Sequence, residues 1–209
     1  MNNSVKIFVE GIADEEFIRQ FLIYELKFNP SKDSIISLQG KDRLKVKDLS
    51  KLKQVTQSFV INTEKGGINL LIFDANGNFQ NRKNEIDEWK KQLGIEFITF
   101  LLPNNSNNGA LENLLEKLIP ANNSDANRYP QNHQRFIDCF SAYQVCLDAD
   151  PRYKVPILKT KIYAYLDTLD KADIGIAKEG TRNYFLPGHW DFKSDYLIPL
   201  KDFLINHCS

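Results

Sequence analysis

The sequence predicts an α/β protein with about four parallel strands flanked by helices, followed by a C-terminal helical extension. Between residues 5 and 119, short apolar runs alternate four times with segments of helical periodicity. Alternating strand–helix units favour a parallel sheet with right-handed crossovers. One run, INLLIF at 68–73, is apolar at five of its six positions, which is typical of a strand buried on both faces.

The opening of the chain predicts the first half of this sheet. A short apolar run that ends at Val9 predicts a strand, and Gly11 a tight turn into a helix that begins at Asp14. Residues 34–38 predict a second strand. Residues 41–58 predict a helix with many basic side chains and an apolar side.

The second half of the predicted sheet follows the same order. After the INLLIF strand comes a helix at 81–94 that stops at Gly94, a residue type common at helix C-termini. A strand is predicted at 95–102. A polar loop then leads into a helix at 110–119.

The remainder of the chain differs in character from the first 120 residues. Residues 121–209 predict helices at 133–149, 155–170 and 198–208, and they offer no sheet of their own. Their many aromatic side chains are expected to be buried against another part of the protein. We therefore predict a core at residues 1–120 and a mostly helical extension packed on it.

The composition restricts the classes of function. The chain has 27 basic and 27 acidic residues, so its net charge does not favour strong non-specific binding to nucleic acid; a local basic patch or a bound metal would be needed. Neither a signal sequence nor an apolar run of membrane-spanning length is present. We expect a cytoplasmic protein with no membrane contact. Cys139, Cys146 and Cys208 show no metal-ligand spacing, which predicts buried thiols in a reducing compartment.

Acidic and amide side chains cluster where the predicted strands end. In open α/β sheets, ligands bind outside the carboxyl ends of the strands. Magnesium prefers oxygen ligands, which one or two carboxylates commonly supply together with water and substrate phosphate. The sequence therefore predicts an oxygen-ligand site formed by Glu10, Asp14, Asp74, Asn76 and Glu112.

These acidic residues also have simpler interpretations. Asp14 and Glu112 stand in the first turns of predicted helices, where a carboxylate stabilises the positive end of the helix dipole. Glu10 and Asp74 directly follow apolar strands and lack an obvious structural task. They are therefore the stronger functional candidates.

Three segments in order resemble the Toprim domain. They are VEGIADEEF, LLIFDAN and FLLPNNSNNGALENLL. The domain occurs in topoisomerases, bacterial primases and OLD-family nucleases. The chain is most similar to a group of bacterial Toprim-related, OLD-nuclease-like proteins of unknown function, whose hallmarks resemble the LPNN-rich loop and the late segment HWDFKSDYLIPLKDFL. The resemblance implies a Toprim-like, Rossmann-type core over about residues 5–119.

The resemblance also implies an activity and a cofactor. It implies a phosphodiester enzyme, a nuclease, that uses Mg²⁺ or Mn²⁺, with Glu10 and Asp74 as catalytic residues. Asp14 and Glu112 would add metal ligands. Asn76 departs from the pattern, which has a second aspartate there. An amide oxygen can still ligate, but it lowers the negative charge of the site and puts two-metal chemistry in doubt.

Basic side chains provide candidate contacts to nucleic-acid phosphates. These candidates are Lys41, Arg43, Lys45, Lys159 and Lys161. Phosphate contacts from lysine and arginine position a nucleic acid without reading its sequence. The simpler interpretation of each is a side chain on a solvated helix face.

A second function remains open. The alternative is a metal-poor Toprim relative, catalytically weak or inactive, that acts as a binding or regulatory module with a partner ATPase. The residue Asn76 and the neutral net charge favour this alternative. A nucleotide-binding function has little support, because the chain lacks a glycine-rich phosphate loop.

Overall fold

The structure, a computed structural model, describes most of the chain. The described residues are 4–38, 49–120, 132–167, 184 and 189–208. Three of the predicted phosphate-contacting residues, Lys41, Arg43 and Lys45, lie outside them, as does the first part of the predicted basic helix.

A four-stranded parallel sheet forms the centre of the fold and confirms the predicted fold class. Its strands are β1 Val5–Val9, β2 Ile35–Ser37, β3 Ile68–Asp74 and β4 Ile98–Leu102. Their order is β2-β1-β3-β4, and every neighbouring pair is parallel. Helices flank the sheet, so the architecture is Rossmann-like.

Helices follow each strand and continue into the C-terminal region. They are α1 Ile12–Gln20, α2 Leu49–Glu64, α3 Phe79–Leu93, α4 Leu111–Leu118, α5 Asn132–Asp148, α6 Leu158–Asp167 and α7 Ile198–Cys208. A π-helical turn continues α1, and 3-10 turns precede β2 and α7. These turns are Phe21–Glu25, Lys32–Ser34 and Asp195–Leu197. Among the described residues, no helix combines the length and the apolar character needed to cross a membrane.

Side-chain capping moves two helix starts relative to the prediction. Helix α1 begins two residues before Asp14, because the Asp14 carboxylate accepts a hydrogen bond from the Gly11 N–H and caps the first turn. Helix α3 begins at Phe79 because the Asn78 side chain accepts from the Asn81 N–H at 2.8 Å. Gly94 ends α3 in the left-handed conformation, as predicted.

The sheet separates two apolar clusters. Successive residues of a strand point to opposite faces, so Leu70 and Ile72 belong to one cluster and Leu71 and Phe73 to the other. Helices α1, α4, α6 and α7 cover the first face, and α2 and α3 the second. This two-sided cover explains why β3 is nearly continuous in apolar residues.

The C-terminal helices pack on the first of these clusters. The ring of Phe203 in α7 lies 5.1 Å from that of Phe100 in β4. The Asp191 N–H donates to the Leu118 carbonyl at 2.7 Å, and Lys161 pairs with Glu116 at 2.7 Å. Contacts of this kind join α6 and α7 to the sheet. The boundary at residue 120 between a core and a helical extension stays a prediction.

The prediction of buried cysteines is wrong for two of the three. Cys139 and Cys146 are exposed on α5, whereas Cys208 in α7 is buried. Helix α5 packs against the first cluster through Phe136 and Ile137, whereas other residues of the helix, such as Tyr143 and Val145, are exposed. Burial raises the pKa of the Cys208 thiol to about 11.

Candidate functional site

A cavity opens where the carboxyl ends of β1 and β3 meet the first turns of α1 and α4. Its volume is about 260 Å³. Four of its lining side chains are carboxyl groups and one is an ammonium group. The lining residues are Glu10, Gly11, Ile12, Ala13, Asp14, Asp74, Leu111, Glu112 and Lys159. We call it the acid cavity.

The first turn brings Glu10 and Asp14 to this cavity. Glu10 directly follows β1, and Asp14 lies in the first turn of α1, where its Oδ2 accepts from the Gly11 N–H at 2.7 Å. The φ and ψ of Gly11 are −132° and 175°, an extended conformation open to any residue. Glycine suits this position because the Asp14 carboxylate lies so close to it. A Cβ at residue 11 would lie 3.3 Å from Asp14 Oδ2.

Asp74 joins the third strand to the fourth helix. It is the last residue of β3, and its Oδ1 accepts from the Leu111 N–H at the start of α4 at 3.1 Å. This hydrogen bond places the positive end of the α4 dipole against the carboxylate. Glu112, the next residue of α4, is thereby brought to the same cavity.

Burial among like charges disfavours ionisation of the two aspartates. Desolvation is the main cause that raises the pKa of Asp14 to about 7, and Glu10 and Glu112 add repulsion. The Gly11 hydrogen bond and Lys159 act in the opposite direction. Burial, with repulsion from Asp14, Glu10 and Glu112, raises the pKa of Asp74 to about 8. Ionisation of all four carboxyl groups would therefore place buried, mutually repelling charges in the cavity.

Glu10 is bound by an arginine that the sequence did not single out. Arg82 in α3 is only 5% exposed. Its Nη2 donates to Glu10 Oε2 at 3.2 Å, and its Nη1 to Glu85 at 2.6 Å. The spacing of Arg82 and Glu85 on one helix could have indicated their pairing. The contact with Glu10 spans 72 residues, and no local pattern predicts it.

The two predicted lysines that are described lie on α6, on the same side as α4. Lys159 lies 3.9 Å from Glu112 at the acid cavity, and its ammonium group is 5.8 Å from the centre of the Tyr163 ring. Lys161 instead pairs with Glu116 at 2.7 Å, and its side chain is largely buried. Of these two lysines, only Lys159 lines the acid cavity.

Asn76 lies beside the acid cavity rather than in its lining. It lines a second cavity of about 410 Å³, the asparagine cavity, which is formed by Ala75, Asn76, Gly77, Asn78, Asn81, Arg82 and Glu85. Its backbone is left-handed, with φ of 56°, and exchanges two hydrogen bonds with Gly109. The amide Nδ2 donates to the Asp74 carbonyl at 3.3 Å.

The donor set of the acid cavity fits a hard divalent cation in chemistry. Its carboxylate oxygens are the ligands that Mg²⁺ and Mn²⁺ prefer. A cation would favour the ionised aspartates, whose pKa values are raised by burial and by repulsion between the carboxylates. Among the described residues, however, no three Asp, Glu, His or Cys side chains are already arranged to hold one ion. Binding would require carboxylates to turn toward a common point.

A known protein family matches nearly the whole chain. Residues 4–208 match the family described as "Protein of unknown function (DUF3226)". The comparisons with curated proteins and with solved structures give no match. The match includes all four acidic residues of the cavity, Arg82 and the helices through α7. On this evidence the chain belongs to the DUF3226 family.

Proposed function

We propose that the acid cavity binds Mg²⁺ or Mn²⁺ and that the protein is a Toprim-type phosphodiester enzyme, a nuclease, working in the cytoplasm. The observation that supports this most directly is the convergence of four carboxyl groups from three separate segments on one cavity. A purely structural set of helix-capping acids would have no reason to face one another, since their mutual repulsion destabilises the fold.

All four acidic residues would bind the metal in this proposal. Glu10 and Asp74, at the ends of β1 and β3, would be the principal ligands. Asp14 and Glu112, from the first turns of α1 and α4, would complete the set. A bound divalent cation supplies electrophilic activation of a phosphate and a more acidic water.

The basic side chain at the edge of the cavity has a separate task. Lys159 is about half exposed beside Glu112, where it can contact a phosphate of the substrate backbone. Lys161 is paired with Glu116, and its proposed role is correspondingly weaker. Asn76 stays a prediction as a neutral ligand, because it lines the neighbouring cavity.

Calorimetric titration of the protein with Mg²⁺ and Mn²⁺ tests the metal site. We expect millimolar or tighter binding by the wild type and a large loss in the variants Asp74→Ala and Glu10→Gln. Asp87→Asn is a matched control, because Asp87 is exposed on α3. Equal binding by the wild type and Asp74→Ala would overturn the site.

Incubation with supercoiled DNA and with structured RNA tests the reaction. We expect cleavage that depends on Mg²⁺ or Mn²⁺ and that stops on addition of a chelator. Cleavage that survives Asp74→Ala would remove the reaction from this cavity. Circular dichroism of each variant verifies that the fold is intact.

A second function, a binding or regulatory module that works with a partner ATPase, is favoured by two observations. The described carboxylates are not arranged around a common point, and Glu10 is already paired with Arg82. The same titration separates the two proposals. Absence of binding at millimolar Mg²⁺ and Mn²⁺ by a folded protein would favour the regulatory module.

A further inference from the structure

Arg82 is a buried cation between the two cavities. Its guanidinium lies between aromatic rings, with Cζ 5.4 Å from the centre of the Phe73 ring and 5.0 Å from that of Trp89. The same side chain lines the asparagine cavity and contacts Glu10 of the acid cavity. Arg82 therefore lines one cavity and contacts a lining residue of the other.

The hydrogen bonds of Arg82 point in three directions. Nε donates to the Asp74 carbonyl at 3.2 Å, Nη1 to Glu85 at 2.6 Å and Nη2 to Glu10 at 3.2 Å. Only a planar guanidinium presents donors in this fixed fork, because a lysine ammonium is a single point of charge on a flexible stem. The arrangement ties the end of β3 to the residue that follows β1.

Arg82 is shared between two carboxylates. Its guanidinium pairs with both Glu10 and Glu85. Glu85 is the more exposed of the two and makes the shorter contact, at 2.6 Å against 3.2 Å.

We propose that Arg82 is a positioning residue that holds the Glu10 carboxylate at the acid cavity in the orientation needed to bind a divalent cation. This inference rests on the proposed metal site. In many metal sites, a hydrogen-bond partner holds a ligand side chain in one rotamer. Arg82 would do the same for Glu10.

Simple electrostatics predicts the opposite effect, which makes the inference testable. If Arg82 acted only through its charge, its removal would strengthen cation binding, because a positive charge near the cavity would be lost. If Arg82 positions Glu10, its removal weakens binding. The sign of the change in Mg²⁺ affinity therefore distinguishes the two.

The experiment is a double-mutant cycle measured by calorimetric titration with Mg²⁺ and with Mn²⁺. It compares the wild type, Arg82→Met, Glu10→Gln and the double variant. We expect Arg82→Met to weaken binding about tenfold or more, the usual effect of losing a ligand's partner. In the Glu10→Gln background the same change should have little further effect.

Two further variants keep the test decisive. Arg82→Lys retains the charge without the fork, so we expect a loss of affinity that lies between the wild type and Arg82→Met; it also replaces Arg82→Met if that variant does not fold. Lys83→Met, which removes an exposed charge from the next position of α3, should leave affinity unchanged or slightly stronger. Thermal melts identify variants that lose binding through unfolding.

The outcomes separate this inference from the proposed function. A wild type that binds neither ion would overturn both. A wild type that binds, with Arg82→Met and Arg82→Lys binding equally well or more tightly, would overturn the inference alone. A loss of the same size in the Glu10→Gln background would also overturn it, because the effect would not pass through Glu10.

Discussion

The substitution Asp74→Asn should make the metal-free protein more stable than the wild type, and this advantage should grow as the pH rises. Asp74 has a pKa of about 8 in the folded protein against 3.8 for an ordinary aspartate. Between these values the folded state binds a proton that the unfolded state has released. The contribution of Asp74 to stability is therefore fully present below about pH 4 and is lost as the pH rises through about 8.

The pKa difference sets an upper limit on the effect. Each pKa unit between the folded and unfolded states corresponds to about 1.4 kcal/mol, so the gap at Asp74 corresponds to at most about 6 kcal/mol. Water entry and movement of Asp14 on ionisation reduce this figure. We expect the stability advantage of Asp74→Asn to grow by roughly 3 kcal/mol between about pH 4 and about pH 9.

Asparagine suits this test because it changes little besides the charge. It has nearly the shape of aspartate, and its amide oxygen can still accept from the Leu111 N–H, which lies 3.1 Å from Asp74 Oδ1. The hydrogen bond that ties β3 to α4 is therefore retained. The repulsion between position 74 and the carboxylates of Asp14, Glu10 and Glu112 is removed.

Urea denaturation followed by circular dichroism, in the presence of a chelator, measures the effect. The free energy of unfolding of the wild type and the variant is compared at several pH values, and the difference isolates the contribution of position 74 from other titrations. Asp87→Asn, on the exposed side of α3, should retain the wild-type pH profile. Parallel profiles for the wild type and Asp74→Asn would refute the reasoning that burial and the neighbouring carboxylates raise the pKa of Asp74.

Three further predictions concern other parts of the fold. Asn69→Ala should cost about 2–4 kcal/mol in urea denaturation, because the buried Asn69 amide donates to two backbone carbonyls that would lose this partner; its metal binding should be unchanged. Gly109→Ala should cost about 1–3 kcal/mol in the same assay, because φ is 142° and a Cβ would lie 2.7 Å from Asn113 Oδ1. Lys159→Met should bind Mg²⁺ more tightly in calorimetry, since Lys159 is a cation beside Glu112, and should bind DNA more weakly at low salt; tighter DNA binding would contradict its assigned contact.

The fold could be predicted because its strands are marked by composition alone. The INLLIF run became β3 with both faces buried, and the alternation of strands and helices gave the parallel sheet. Element ends were less predictable. The strand expected at 95–102 begins only at Ile98, because Ile95 and Phe97 are buried in the second cluster without pairing with β3. Apolar composition predicts that a segment is buried. It does not predict that the segment pairs as a strand, because pairing depends on a neighbouring strand that is distant in the sequence.

Part of the candidate site could be predicted for a geometric reason. Parallel strands share one carboxyl edge, so residues that directly follow β1 and β3 must lie near each other, and Glu10 and Asp74 do line one cavity. The rule does not extend to contacts made from a distant helix. Arg82 could not be identified, because its contact with Glu10 depends on how α3 packs against the sheet.

The position of Asn76 shows where strand alternation stops being a guide. Asn76 is predicted beside Asp74 because both stand at the end of the same strand, and side chains two residues apart in a continuing strand would point the same way. The strand ends at Asp74, and Asn76 is left-handed, a conformation that asparagine adopts more readily than most residues. Asparagine therefore has a backbone reason to occupy this position. Asn76 then argues less strongly against a metal site than the sequence suggested, and the availability of Glu10 beside Arg82 becomes the deciding feature.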